Sequence, residues 1–259
     1  MVDIHCHILP ELDDGAEDLE TSLTMCRMAA GDGIEATVCT MHASDRYDFD
    51  PDLVQQKIEM VSARSGGVPR LYPGCDFHLS YENVQGALAD PRRFTINHGR
   101  YLLVEFANFS IPPHIDDIFF RLRSRQMMPI VTHPERNPWL LGARHKLVDW
   151  VNKGALVQVT AGALLGRFGE SARRLCEWLL ERRLIHFVAT DAHNATNRPP
   201  LLSPAYKKVG ERYGRDLADR IFKEYPRATL ADETIEPEPP VIPKPKSFFD
   251  RIAGAFKGR

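Results

Sequence analysis

No run in this 259-residue chain approaches the roughly 18 consecutive apolar residues that a membrane-crossing helix needs, so none is expected. The opening Met1-Val2-Asp3-Ile4-His5 has neither a basic n-region nor an apolar h-region, which makes the cytoplasm the expected compartment. Cysteine is scarce. Cys6, Cys26, Cys39, Cys75 and Cys176 are odd in number and scattered among apolar neighbours, a pattern of buried reduced thiols rather than a disulfide framework. A bias of charge is missing too: the net charge is −2 and the pI near 6.6, so no nucleic-acid partner is expected.

What is present suffices for a full hydrophobic core, since 43% of the residues are apolar against 26% charged. Short, nearly continuous apolar stretches alternate with amphipathic ones. The strand-like stretches are Val2 to Cys6, Ala36 to Met41, Arg70 to Phe77, Tyr101 to Glu105, Pro129 to His133, Ala155 to Thr160 and Ile185 to Thr190. Helical spacing marks Asp18 to Gly31, the stretch opened by Pro51 and closed by Gly66-Gly67, Ile115 to Arg125, Glu170 to Arg183 and Pro204 to Tyr225. Strands followed by helices in this way imply a parallel sheet covered by helices. Seven such units in the first 230 residues predict an α/β fold of the distorted (β/α)7 TIM-like barrel type, with an open doubly wound sheet as the fallback.

From residue 231 the composition changes. Residues 231–246, with Glu236-Pro237-Glu238-Pro239-Pro240 and Pro243-Lys244-Pro245-Lys246, read as an extended, solvated Pro-rich linker. In residues 247–259, Phe248, Phe249, Ile252, Ala253 and Phe256 share one helical face, with Arg251, Lys257 and Arg259 around it. This is the pattern of a short basic amphipathic helix suited to peripheral membrane contact, or equally of a docking peptide or a disordered tail.

The chemistry gathers at the strand ends. In β-type alternation, His5 and His7 share one strand face, able to hold one metal ion through neutral imidazoles. Asp14 lies in the loop beyond, and His42, Asp76, Glu105, His133, Asp191 and His193 close five other strands. The C-terminal rim is where a barrel collects its active site. Five imidazoles and four carboxylates exceed what one ion takes, and suit two or three divalent ions such as manganese, iron or zinc. Without cations, so many buried carboxylates would repel at high cost.

Together, Asp3-Ile4-His5-Cys6-His7-Ile8-Leu9-Pro10, Asp13-Asp14-Gly15, His42, His133-Pro134-Glu135-Arg136 and Asp191-Ala192-His193-Asn194 resemble the polymerase-and-histidinol-phosphatase (PHP) superfamily. Within it the motifs are most similar to the manganese-dependent protein-tyrosine phosphatases of bacterial capsule and exopolysaccharide operons. The resemblance implies a trinuclear site, with manganese as the expected metal. It places one ion on His5, His7 and Asp191, a second on Glu105 and His133, and a third on Asp14, His42 and His193. The family's bridging glutamate falls on Asp76, one methylene shorter, while Glu82 lies outside the matching position. It also associates Arg136 and Arg198 with phosphate binding, a role that the planar bidentate guanidinium suits. The implied partner is a phosphotyrosine protein, namely a bacterial tyrosine kinase controlling polysaccharide export.

Two other functions stay open on the sequence: hydrolysis of a small metabolite such as histidinol phosphate, and a degenerate barrel acting as a binding module. A cysteine-based phosphatase is not expected. Cys176 and Arg182 have the spacing of one, but they sit in a leucine-rich amphipathic helix without glycines to cradle a phosphate.

Overall fold

A computed structural model describes residues 1–107 and 111–241. Seven parallel strands run in chain order around the sheet: β1 (Val2–Cys6), β2 (Ala36–Ala43), β3 (Arg70–His78), β4 (Tyr101–Glu105), β5 (Met128–Thr132), β6 (Leu156–Thr160) and β7 (Phe187–Ala189). The seam between β7 and β1 is closed just past β7. The Asp191 amide donates to His5 O at 2.8 Å and the His7 amide to Ala192 O at 2.8 Å. The result is the distorted seven-stranded barrel expected from the alternation.

Apart from β1, the strands alternate between two apolar environments. Val38, Tyr101, Leu103, Ile130 and Phe187 fill the barrel interior toward its N-terminal end. Leu102, Val104, Val131, Val157 and Val188 face outward under the helices. The helices are α1 (Leu19–Gly31), α2 (Pro51–Ser65), α3 (Tyr81–Ala89), α4 (Ile115–Ser124), α5 (Pro138–Gly142), α6 (His145–Asn152), α7 (Ala161–Leu164), α8 (Gly169–Leu180) and α9 (Ser203–Tyr213). Their starts follow capping chemistry: Asp18, Asp50 and Ser80 accept from amides of the first turns of α1, α2 and α3.

Three features depart from the sequence expectation. First, β1 does not alternate cleanly. Asp3 pairs with Thr37 but Cys6 with Cys39, so β1 carries one extra residue between them. This bulge shifts the phase. Val2 and Ile4 join the interior cluster, Cys6 joins the outer one, and His5 and His7 follow the interior side. Second, the single helix expected over Pro204 to Tyr225 is broken at Gly214 (φ 96°), and the chain continues as short helical segments from Arg215 to Leu230. Helices α3 and α6 lay outside the sequence reading, although Ser80 and the Leu147, Trp150, Val151 spacing mark them.

Third, the beginning of the Pro-rich segment is docked rather than solvated. The Ile235 side chain packs on the interior cluster and its amide donates to Tyr101 Oη at 3.1 Å. Asp232 accepts from the Arg100 amide at 2.7 Å, and Glu238 pairs with Arg183 and Arg220. This strap covers the N-terminal end of the barrel, opposite the rim where the polar strand ends gather. Residues 242–246 of the linker and the amphipathic stretch 247–259 lie outside the described residues.

Candidate metal centre

All nine side chains singled out at strand ends meet at the C-terminal rim. His5 Nε2 and His7 Nε2 are 3.3 Å apart, and His5 Nε2 lies 3.3 Å from Asp76 Oδ2 and 3.6 Å from Asp191 Oδ1. His42 Nδ1 is 3.3 Å from Asp76 Oδ2 and its Nε2 3.3 Å from Asp14 Oδ1. His193 Nε2 stands 3.5 Å from Asp14 Oδ1, and His133 Nε2 stands 3.6 Å from Glu105 Oε1. Donor atoms fall within 4.8 Å of one another in four overlapping sets: His7–Asp14–His42–His193, His5–His7–Asp76, His5–His133–Asp191 and His42–Asp76–Glu105. The groups implied by the resemblance are each brought together: Asp14, His42 and His193 with His7 beside them, His5 and His7 with Asp191 Oδ1 at 3.6 and 3.7 Å from their Nε2 atoms, and His133 beside Glu105. The sets also overlap, since His133 stands with His5 and Asp191, and Glu105 with His42 and Asp76. Asp76 belongs to two sets despite its short side chain, and Glu82 is exposed on α3.

The backbone is bent to achieve this convergence. His133 (φ 30°) and Asp191 (φ 51°) adopt left-handed conformations just after β5 and β7. Such strain costs about 1–3 kcal/mol per residue and gathers at functional sites. At Gly15, a Cβ would meet His7 O at 2.3 Å, so only glycine lets the Asp13-Asp14 loop lie this close to β1.

A set of partners outside the nine orients them. Gln158 Oε1 accepts from His5 Nδ1 at 3.1 Å, and Asp13 Oδ2 accepts from His7 Nδ1 at 2.7 Å and from the His42 amide at 3.1 Å. His193 Nδ1 donates to Asp191 O at 3.1 Å. The ring bonds of His5, His7 and His193 turn each Nε2 toward the centre, the usual arrangement of metal-ligating imidazoles. Gln158 carried no local sequence signal; its inward phase on β6 is what would have found it. His78, two residues past Asp76, also reaches the rim at 3.5 Å from Glu105 Oε2.

The electrostatics call for positive charge. Burial holds His7 at about 4 and His133 at about 3, so both are neutral donors. Burial is outweighed at His5 by Asp76 and Asp191, and at His42 by Asp14 and Asp76, raising them to about 9 and about 10. Burial, with the Asp76 charge beside it, pushes Glu105 up to about 8. Both Asp76 carboxylate oxygens and His42 Nδ1 are buried without a hydrogen-bond partner. Orphaned acceptors amid imidazoles and carboxylates are what a set of divalent-cation ligands leaves behind. The donor set fits more than one such ion.

Two guanidiniums converge on Asp191. Arg136 pairs with Asp191 Oδ2, and Arg198 Nη2 lies 2.6 Å from the same oxygen. The Arg198 Nε is buried without a partner. The 3-10 turn Pro134–Arg136 that presents Arg136 is pinned by buried Glu135, whose Oε1 accepts from the Thr160 amide and hydroxyl, both at 2.8 Å. Elsewhere, Cys176 is fully buried in α8, its thiol pushed well above the ordinary range by burial, and the Arg182 guanidinium stacks on Trp178 at 4.2 Å. That pair forms no phosphate cradle.

The chain is similar to known proteins. The family described as "Capsular polysaccharide synthesis, CpsB/CapC" matches residues 1–231. The chain belongs to the CpsB/CapC family. The tyrosine-protein phosphatase YwqE of Bacillus subtilis is 33% identical to this CpsB/CapC member over 253 residues, covering 96% of this chain and 99% of its own. The putative tyrosine-protein phosphatase CapC of Staphylococcus aureus is 34% identical over 211 residues, covering 80% and 82%. A chain from the crystal structures of YwqE of Bacillus subtilis and CpsB of Streptococcus pneumoniae, described as unique metal-dependent tyrosine phosphatases, matches with a TM-score of 0.87 and 33% identity. It covers 95% of this chain and 100% of that one. A lactonase of Listeria monocytogenes, with 13% identity, TM-score 0.61 and coverage of 90% and 95%, shares the fold alone.

Proposed function

We propose that this CpsB/CapC member is a metal-dependent phosphomonoesterase that hydrolyses phosphotyrosine in proteins and acts in capsule or exopolysaccharide synthesis. One observation carries the reading: nine metal-type donors and two arginines meet at a single rim, both arginines resting on one carboxylate that belongs to the donor set.

His5, His7, Asp14, His42, Asp76, Glu105, His133, Asp191 and His193 would hold two or three divalent ions, with manganese as the expected metal. When bound, such ions supply an activated water at neutral pH and neutralise charge on a phosphoryl group. The protein's own part is orientation and binding. Gln158 and Asp13 hold His5 and His7 with Nε2 inward. Arg136 and Arg198 offer N–H donors that exchange Asp191 for phosphoryl oxygens, matching their geometry and the charge spread over them. A tyrosyl leaving group has a pKa of about 10 and departs without a strong general acid.

The partner in this reading is a phosphotyrosine-bearing bacterial kinase in the cytoplasm. Among the described residues, no helix is long and apolar enough to cross a membrane. Residues 247–259 are proposed to touch the membrane surface. Equal liposome pelleting of the full chain and of a chain ending at residue 241 removes that idea. For the activity, the purified chain with Mn²⁺ is expected to release phosphate from p-nitrophenyl phosphate and phosphotyrosine peptides, and His133→Ala and Asp191→Ala to abolish it. Inactivity with every divalent metal, or activity surviving both substitutions, overturns the assignment.

A further inference from the structure

Beside the metal centre lies an apolar slot that none of the steps above uses. Leu165 and Phe168, in the connection from α7 to α8, form one wall, and Pro199 and Leu201, in the loop before α9, form the other. Thr190 and Arg198 also line it. Its volume is about 110 Å³. An apolar cavity of about 150 Å³ takes a benzene ring, so the scale is that of one planar aromatic group.

Phe168 connects the slot to the phosphate-binding arginines. The Arg136 guanidinium sits 4.9 Å from the Phe168 ring centroid, so one phosphate-binding candidate stacks on the residue that walls the slot, while the other lines it directly. Both Phe168 and Leu165 are 36% exposed, apolar surface held open next to a highly charged centre. A second cleft at Arg136 is lined by Glu105, Thr132, His133 and Asn137, with Phe106 as its one apolar member and that ring itself buried, so it gives an aromatic ring less to bury against. In a phosphate monoester the organic group is one oxygen away from phosphorus. With the phosphoryl group between Arg136 and Arg198, the slot offers a ring Leu165, Phe168, Pro199 and Leu201 to bury against.

We propose that this slot seats the aromatic ring of the phosphate ester and that Phe168 is its specificity-determining residue. The inference rests on the phosphatase reading above and adds the reason an aryl ester is chosen: a seryl phosphate leaves the slot empty. Removing one wall costs the contact a ring makes but not the charge contacts of the phosphoryl group, so the effect falls on discrimination. An apolar wall of this kind is worth about tenfold or more in discrimination.

The test uses the full chain loaded with Mn²⁺ and compares inhibition by phenylphosphonate and methylphosphonate, which removes leaving-group chemistry from the measurement. The wild type is expected to bind the phenyl compound at least about tenfold more tightly. Phe168→Ala and Leu201→Ser are expected to lose most of that preference, and Phe168→Tyr to keep it. Leu201 is no part of the Arg136–Phe168 stack, so its variant separates the slot from support of the guanidinium. A wild type without preference, or both variants retaining it, overturns the slot while phosphate release from aryl esters continues to support the phosphatase. If the wild type releases no phosphate from any aryl ester, the phosphatase reading fails and the slot with it.

Discussion

His186 gives the sharpest stability prediction because it is buried and far from the metal centre. It immediately precedes β7, and its Nδ1 accepts from the Val157 amide on β6 at 3.0 Å. That bond fixes the neutral form with Nδ1 unprotonated, and burial lowers the pKa from 6.5 to about 3. The unfolded chain therefore takes up a proton that the folded one refuses. Stability is full above pH 6.5, falls as pH drops through that value, and levels off only near the folded pKa. At pH 5, about 1.5 units into this window, the loss is about 2 kcal/mol at about 1.4 kcal/mol per unit. His186→Asn keeps an acceptor for the Val157 amide and cannot titrate. Urea unfolding of both proteins in chelator, at pH 8 and pH 5, isolates the effect, because the metal-site histidines are common to both. The wild type's advantage over the variant should shrink by about 2 kcal/mol on acidification. A gap that stays constant with pH would falsify the assignment of His186 as a neutral buried acceptor.

Gln158→Leu removes the acceptor that orients His5; metal affinity should drop by about 10- to 100-fold in chelator competition, and an unchanged affinity refutes that role. Cys176→Ala should retain phosphatase activity, because the thiol is buried and no anion cradle surrounds it; inactivity of a folded variant would revive cysteine chemistry. Trp150→Ala should cost about 3–5 kcal/mol in urea unfolding, since Trp150 packs at 5.4 Å on Phe106 and edge-on at 5.8 Å on Phe119. A loss far below that would show that the α4–α6 contact collapses around the gap.

The sequence by itself determined the number of strands, their parallel sense and the residues at their ends. Apolar runs bounded by glycines and caps can bury both faces only in a helix-covered parallel sheet, and seven of them in so short a chain close on themselves. His5, Glu105 and Asp191 were legible as one site for the same reason: strands that share a direction deliver their last residues to one rim. The tertiary structure alone decided which donors stand together. The extra residue in β1 changes the phase of His5 and His7, and the left-handed backbone at His133 and Asp191 re-aims side chains that strand periodicity would send elsewhere. Gln158 and Phe168 stayed silent in the sequence because each matters only through a neighbour more than 30 residues away or in another element. The strap through Ile235 and Glu238 was hidden likewise: proline and charge describe a local chain stiffness, while docking depends on an apolar floor and two arginines that only the closed barrel assembles.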